Sequence, residues 1–261
     1  QPLMLRTAAD ARRIRAAAVA AEEGAPVVVI GGGFIGLEVA SALATHRLRP
    51  TVVEMAPTLW GGALGTELAA WARDRLTEFG VELRLGAAVS RLAGGAAWLD
   101  GERLPATFVV AGVGVLPRHD LAEAAGIAVA DGILVDAGQR TNHPAVWAAG
   151  DVARVDGRRV EHWHAAREAG ERAAVSMLGL PLPSVPPTWV FSEIAGKMVD
   201  VVGAFDGWDE ERWLIPGRLI GYLGAERLAG LASIDNALAV EVCRRLVADG
   251  ASPEAAVQLA R

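Results

Sequence analysis

The sequence predicts an α/β protein built on a parallel, doubly wound sheet in three layers, with a second, α+β region behind it. Three observations predict this. Short all-apolar runs, Val27 to Ile30 and Phe108 to Ala111, alternate with helical patterns, as buried parallel strands and their crossovers do. A glycine-rich hexapeptide, residues 31 to 36, joins the first run to the helix after it. Near Asp131 the alternation stops, and beyond a proline-rich stretch four runs read as antiparallel strands.

Element by element, Thr7-Ala8-Ala9-Asp10 has the shape of a capping box, so a helix should run to about Glu23, ended by Gly24 and Pro26. The strand Val27 to Ile30 turns through Gly31-Gly32-Gly33 into a helix from Phe34 to about His46. Pro50 breaks the chain before the strand Thr51 to Glu54. A helix over Glu67 to Phe79 stops at Gly80 and leads to the strand Val81 to Leu85. Val89 to Leu92 and Ala96 to Leu99 read as short antiparallel strands around Gly94-Gly95, and Phe108 to Ala111 returns to the buried sheet. Ile133 to Val135 and Val146 to Ala149 follow as short strands, then a helix over Glu161 to Leu178. Prolines 181, 183, 186 and 187 mark a linker. Val199 to Val202, Arg212 to Ile215, Leu219 to Leu223 and Leu228 to Ser233 are the antiparallel strands, closed by helices Ala237 to Ala248 and Pro253 to Leu259.

Composition narrows the function. With 52% hydrophobic and 21% charged residues, the 261-residue chain has the balance of a globular protein. A net charge of -6 argues against a nucleic-acid surface, which is usually basic. The one cysteine, Cys243, excludes an internal disulfide, a CxxC redox pair and a cysteine-based zinc site. It lies in a helical pattern and is expected to be a buried, reduced thiol, which points to a cytoplasmic setting. No apolar run reaches the roughly 18 residues of a membrane helix. His162 and His164 flank Trp163, but no carboxylate or cysteine pattern joins them, so no metal site is expected.

The hexapeptide Gly31-Gly32-Gly33-Phe34-Ile35-Gly36 is a G-x-G-x-x-G between a strand and a helix, the fingerprint of a Rossmann-like dinucleotide site. Gly31 allows the tight turn, Gly33 lets the backbone approach a pyrophosphate, and Gly36 lets helix and sheet pack closely. Free N–H groups and a partial positive charge at the helix start then face the phosphates. Gly31, Gly33, Phe34, Ile35 and Gly36 are therefore candidate cofactor-binding residues. Glu54 ends the next strand 18 residues beyond Gly36, where a carboxylate accepts both ribose hydroxyls and repels a 2′-phosphate. Residues 55 to 60 contain no arginine to welcome that phosphate, so NADH is favoured over NADPH.

Further segments recur in order along the chain: Leu5-Arg6-Thr7, the glycine motif continued by Leu37-Glu38, Gly112-Val113-Gly114-Val115-Leu116-Pro117, Thr141 with Ala148-Ala149-Gly150-Asp151, and Glu161-His162-Trp163. On these residues the chain resembles the FAD-dependent pyridine nucleotide-disulfide oxidoreductase superfamily, in its ferredoxin and rubredoxin reductase branch. That resemblance implies an NAD domain inserted into an FAD domain, followed by a third, C-terminal α+β domain. Residues 1–7 would be a remnant of the FAD domain, 8–123 the NAD(H)-binding domain, 124–185 the returning half of the FAD domain and 186–261 the C-terminal domain. It further implies that Arg6 contacts FAD, that Glu38 sits by the nicotinamide carboxamide, and that Val113 and Gly114 line the NAD cleft. Asp151 would bind the flavin's ribityl chain, and Trp163 would lie near the isoalloxazine at a helix start. Glu38 and Trp163 are thus the candidate catalytic residues. Phe191-Ser192-Glu193 stands where the family often has Trp-Ser-Asp.

The resemblance implies an FAD-dependent NADH oxidoreductase passing electrons to a small iron–sulfur or rubredoxin-type acceptor. The chain carries one G-x-G-x-x-G, with 30 residues before it. The ADP-binding half of the FAD site is therefore expected in a longer form of the protein or on another chain. The alternative is a flavin-free NAD-binding module or one subunit of a split flavoprotein. Arg212, Arg218, Arg227, Arg244 and Arg245 are either a docking patch for an acidic acceptor or a solvated face.

Overall fold

The computed structural model describes residues 1–203 and 207–260. Contacts divide it into two units, one of residues 1–114 with 191–261 and one of residues 115–190. These boundaries differ from the sequence expectation: the first seven residues and the C-terminal segment fall in the same unit as the glycine motif.

The first unit opens with β1 (Leu3–Met4) and α1 (Ala8–Ala20). Thr7 caps α1 as its sequence predicts: the Asp10 N–H donates to Thr7 Oγ1 at 3.2 Å, and the Thr7 N–H donates to Asp10 Oδ2 at 2.8 Å. The helix ends at Ala20 rather than near Glu23, because Ala21 is already extended and Gly24, at φ 77°, turns its N–H onto the Arg47 carbonyl. Then come β2 (Pro26–Ile30), α2 (Phe34–Thr45), β3 (Arg49–Glu54), α3 (Thr66–Glu78) and β4 (Glu82–Leu85). Pro50 does not break β3. It is the strand's second residue, ahead of Thr51 where pairing with β4 begins, so its missing N–H costs no ladder bond on that side.

A three-stranded meander follows, β5 (Arg91–Leu92), β6 (Ala96–Leu99) and β7 (Glu102–Pro105), and then β8 (Phe108–Ala111). The sequence reading lacked β7, whose charged, proline-containing run suits only the exposed meander edge it occupies. The main sheet is parallel throughout, in the order β1-β8-β2-β3-β4. On one face Val28 and Val53 pack on Ala97, Leu99 and Ala106 of the meander region. Gly36 of α2 comes against Val29, which points to the opposite face. The third layer is therefore a meander, where a doubly wound sheet would carry helices on both sides.

In the second unit lie α4 (Asp120–Ala124), β9 (Val129–Ala130), β10 (Gly132–Val135), β11 (Ala153–Val155) and α5 (Trp163–Met177). Strand β10 pairs parallel with β11 and antiparallel with β9. Val146 to Ala149 is not a strand. Trp147 makes a lone bridge to Arg140, and its indole N–H donates to Ser176 Oγ of α5 at 3.1 Å. The run is fixed as a loop against α5, and β11, which the sequence reading missed, takes the ladder position.

The chain ends with β12 (Trp189–Ile194), β13 (Lys197–Gly203), β14 (Glu210–Ile215), β15 (Leu219–Gly224), β16 (Arg227–Ile234), α6 (Val240–Ala248) and α7 (Pro253–Leu259). These strands form one sheet in the order β12-β13-β16-β15-β14, with β12 added at its edge to the four expected. Cys243 of α6 is fully buried, and burial, then Asp200, pushes its thiol up to about 12, so it is an inert core group.

Candidate functional site

The strand order reverses between β2 and β8: from β2 the chain steps to β3 and β4 on one side and returns to β8 on the other. In parallel α/β sheets ligands bind outside the strands' carboxyl ends at that switch point. Gly31 follows β2 there, Glu54 ends β3, and Gly112-Val113-Gly114 follows β8. The glycine turn, Glu54 and the segment 112 to 114 thus reach one sheet edge, while Glu38 lies further along α2.

Two of the three motif glycines are required by the protein itself, each for a separate reason. Gly31 has φ 109°, and a Cβ on it would sit 2.3 Å from the Gly112 carbonyl oxygen. A Cβ on Gly36 would sit 1.9 Å from the Gly31 carbonyl oxygen, so helix, turn and strand can close only on a hydrogen. Gly33 is different: nothing lies within 4 Å of its Cβ position. No protein atom demands the third glycine, which fits a backbone kept bare for a ligand. Gly33 is the N-cap of α2 and supplies no side-chain cap, so the first N–H groups of the helix have no side chain bound to them.

The Glu54 carboxylate is oriented by the backbone around it. Its Oε2 accepts from the Gly32 N–H at 2.5 Å and its Oε1 from the Ala56 N–H at 2.7 Å. Two lone pairs are thereby used, and the rest can accept from a ribose diol. Gly32, a free position in the motif, is constrained here too, because a Cβ on it would come 2.9 Å from Glu54 Cγ.

Sequence reasoning missed Trp60. It sits beyond β3 in a left-handed conformation (φ 54°, ψ 17°), is 9% exposed, and its backbone N–H donates to the Gly32 carbonyl at 2.9 Å. Its indole packs at 6.0 Å from the Phe34 ring. The turn is thus held from outside by a residue whose only sequence signal was a tryptophan in a loop, residues 55 to 65, of mainly small and apolar residues.

Among the remaining candidates, Ile35 and Val113 are exposed at the same edge, and Gly114 has φ 94°. Glu38, in the second turn of α2, accepts from the buried Ser192 hydroxyl of β12 at 2.7 Å. It lines a cleft of about 420 Å³ with Phe79, Phe191, Glu193 and Met198. Arg6 is exposed in the bend after β1.

In the second unit, Asp151 is exposed in a turn preceding β11. Gly150, at φ 81°, would bring a Cβ within 3.5 Å of Ala166 in the first turn of α5. Trp163 starts that helix, is 64% exposed, and packs edge-on at 4.7 Å against His164, which in turn lies 3.8 Å from Trp189. Asp151 and Trp163 are therefore gathered at one helix N-terminus that carries no side-chain cap. Among the described residues no group of three or more histidine, cysteine or acidic side chains could hold a metal ion, and no helix is long and apolar enough to cross a membrane.

Comparison with known proteins shows the family to which this fold belongs. The chain is 35% identical over 268 residues to the ferredoxin–NAD(+) reductase component of an anthranilate 1,2-dioxygenase system from Burkholderia cepacia, covering 96% of this chain and 65% of that protein. It is 37% identical over 215 residues to the corresponding component of a biphenyl dioxygenase system from Paraburkholderia xenovorans, covering 78% and 52%. The fold matches the reductase–putidaredoxin covalent complex at a TM-score of 0.88 and 27% identity, over 97% of this chain and 65% of that one. It matches a ferredoxin reductase from Rhodopseudomonas palustris at 0.82 and 30%, over 89% and 61%. The chain thus spans between about half and two thirds of the length of these relatives. The family described as pyridine nucleotide-disulphide oxidoreductase matches residues 2–170, more than half of the sequence, and the chain belongs to that family.

Proposed function

We propose that the chain is the NADH-binding part of an FAD-dependent oxidoreductase that delivers electrons to a ferredoxin- or rubredoxin-like acceptor in the cytoplasm. The observation that carries this reading is the Glu54 carboxylate held by the Gly32 and Ala56 N–H groups beside the open end of α2. A diol-accepting carboxylate and a phosphate-accepting helix end are the two halves of an NAD(H) site. Gly31, Gly33, Phe34, Ile35 and Gly36 would carry the pyrophosphate, with Val113 and Gly114 lining the cleft and Glu38 meeting the carboxamide. In the second unit Asp151 and Trp163 would contact FAD, with Asp151 accepting from the ribityl hydroxyls and the α5 N-terminus stabilising negative charge on the ring; Arg6, in the first unit, would be a separate FAD contact. When bound, FAD would supply the two-electron to one-electron conversion between NADH and an iron–sulfur protein. The relatives' names, which pair a reductase with a ferredoxin or a dioxygenase system, support this acceptor class.

The test is to produce the protein with whatever chain or segment completes the FAD domain, add NADH, and follow flavin absorbance. Bleaching by NADH at far lower concentration than by NADPH is the expected result. A colourless protein, or one bleached equally by both, overturns the reading. A flavin-free NAD module is the competing reading. It predicts tight NADH binding with no flavin retained under the same conditions.

A further inference from the structure

The strand β12 alternates cleanly. Phe191 and Glu193 are exposed, while Ser192 and Ile194 are 1% and 0% exposed. Position 192 is thus a core position, where an apolar residue is the usual occupant. A buried hydroxyl there needs a partner, or it costs the desolvation of a polar group. Its partner is Glu38 Oε1 at 2.7 Å, a charge-assisted bond between residues 154 positions apart.

A second tie fixes the geometry. One turn along α2, the Ala195 N–H donates to Ser41 Oγ at 3.1 Å, while Ser41 Oγ donates to the Leu37 carbonyl at 2.7 Å. Glu38 and Ser41 lie three residues apart, on one helix face. The end of β12 is therefore fastened to α2 at two points, and Ser192 cannot drift relative to the Glu38 backbone. An exposed glutamate would otherwise sample several rotamers. Ser192 takes one lone pair of Oε1 and leaves the rest of the carboxylate to accept from a ligand in the cleft.

We infer that Ser192 is a positioning residue that presents the Glu38 carboxylate to the carboxamide N–H of the nicotinamide. The inference rests on the proposed NAD(H) reading. A carboxylate locked in one orientation favours a ring bearing a carboxamide, which donates, over one bearing an acetyl group, which cannot. A free-swinging carboxylate discriminates less.

The test measures dissociation constants of NAD+ and its 3-acetylpyridine analogue for the chain itself, by calorimetry. The wild type should prefer NAD+. Ser192→Ala should reduce that preference about fivefold, with Ser192→Thr restoring it by returning the hydroxyl. In a Glu38→Gln background, Ser192→Ala should change the preference by less than about twofold. A folded Ser192→Ala variant that keeps the wild-type preference overturns the positioning role and leaves the NAD(H) reading standing. The full Ser192→Ala effect in the Glu38→Gln background does the same. If the wild type binds neither dinucleotide, the NAD(H) reading fails and the inference falls with it.

Discussion

Helices α2 and α3 begin alike and end up in different roles. Each has a glycine N-cap, Gly33 and Gly65, and neither has a local side-chain cap. At α3 the end is filled from 145 residues away. Glu211 of β14 accepts from the Thr66 N–H at 2.5 Å, from the Thr66 hydroxyl, and from the Glu67 N–H at 3.2 Å. Gly65 has φ 81°, a backbone that favours glycine, and a Cβ on it would push the Glu211 carboxylate away from the helix end. At α2 nothing lies within 4 Å of the Gly33 Cβ position. Both ends attract an anion by the same dipole and N–H groups. Where the protein supplies the carboxylate, the end is structural. Where it supplies none, the end is available to a phosphate.

The comparison can be broken most forcefully at Gly36. Gly36→Ala places a methyl 1.9 Å from the Gly31 carbonyl oxygen, which is backbone and cannot swing away. It should cost about 2–3 kcal/mol of stability or more, together with NADH binding, read by urea unfolding and calorimetry. A variant of normal stability and affinity would show that the turn does not need this closeness. Glu211→Ala should cost about 1–2 kcal/mol in urea unfolding, through the lost α3 cap, and leave NADH affinity alone. If affinity falls with stability, the two helix ends are not independent.

Gly33→Ala sharpens the contrast. With no protein neighbour to strike, its stability should stay within about 0.5 kcal/mol of wild type, while NADH affinity falls roughly tenfold. Unchanged affinity would mean that the open end does not receive the pyrophosphate. The smallest effect concerns α1, whose end is capped locally. The Asp10 carboxyl is held well below the usual carboxylate range, first by the Thr7 hydroxyl, then by the Arg13 guanidinium. A depressed carboxylate stabilises the fold fully above its unfolded pKa of about 4, and that stability is lost as pH falls through the depressed folded value. Urea midpoints of wild type and Asp10→Asn should therefore converge as the pH drops below about 4. Curves that stay parallel would remove Asp10 from the acid limb.

These three helix ends also mark how far the sequence could be read. The α1 cap was legible because its partners, Thr7 and Asp10, are three residues apart. The α2 site was legible because strand, turn, helix and Glu54 all fall within residues 26 to 54. The α3 cap was not legible, since no periodicity links Glu211 to Thr66. Nor was the Ser192–Glu38 bond, although Phe191-Ser192-Glu193 stood out. A serine in an alternating strand shows only that a hydroxyl is buried, and its partner depends on how β12 meets α2. Strands β7 and β12 were missed where charge, proline or an unclear boundary hid a short edge run, and Val146 to Ala149 read as a strand because its apolar side chains are indeed inward-facing in part.

Local chemistry along the chain was enough for the parallel βαβ core, the glycine turn and the placing of Glu54 at the end of the next strand, because each depends on residues within a few turns of one another. Folding alone decided that a meander covers one sheet face, that Trp60 braces the turn, that Glu211 closes α3, and that Ser192 holds Glu38. Those contacts join residues far apart in sequence, and hydrogen-bond geometry and close packing select them only once the elements have been brought together.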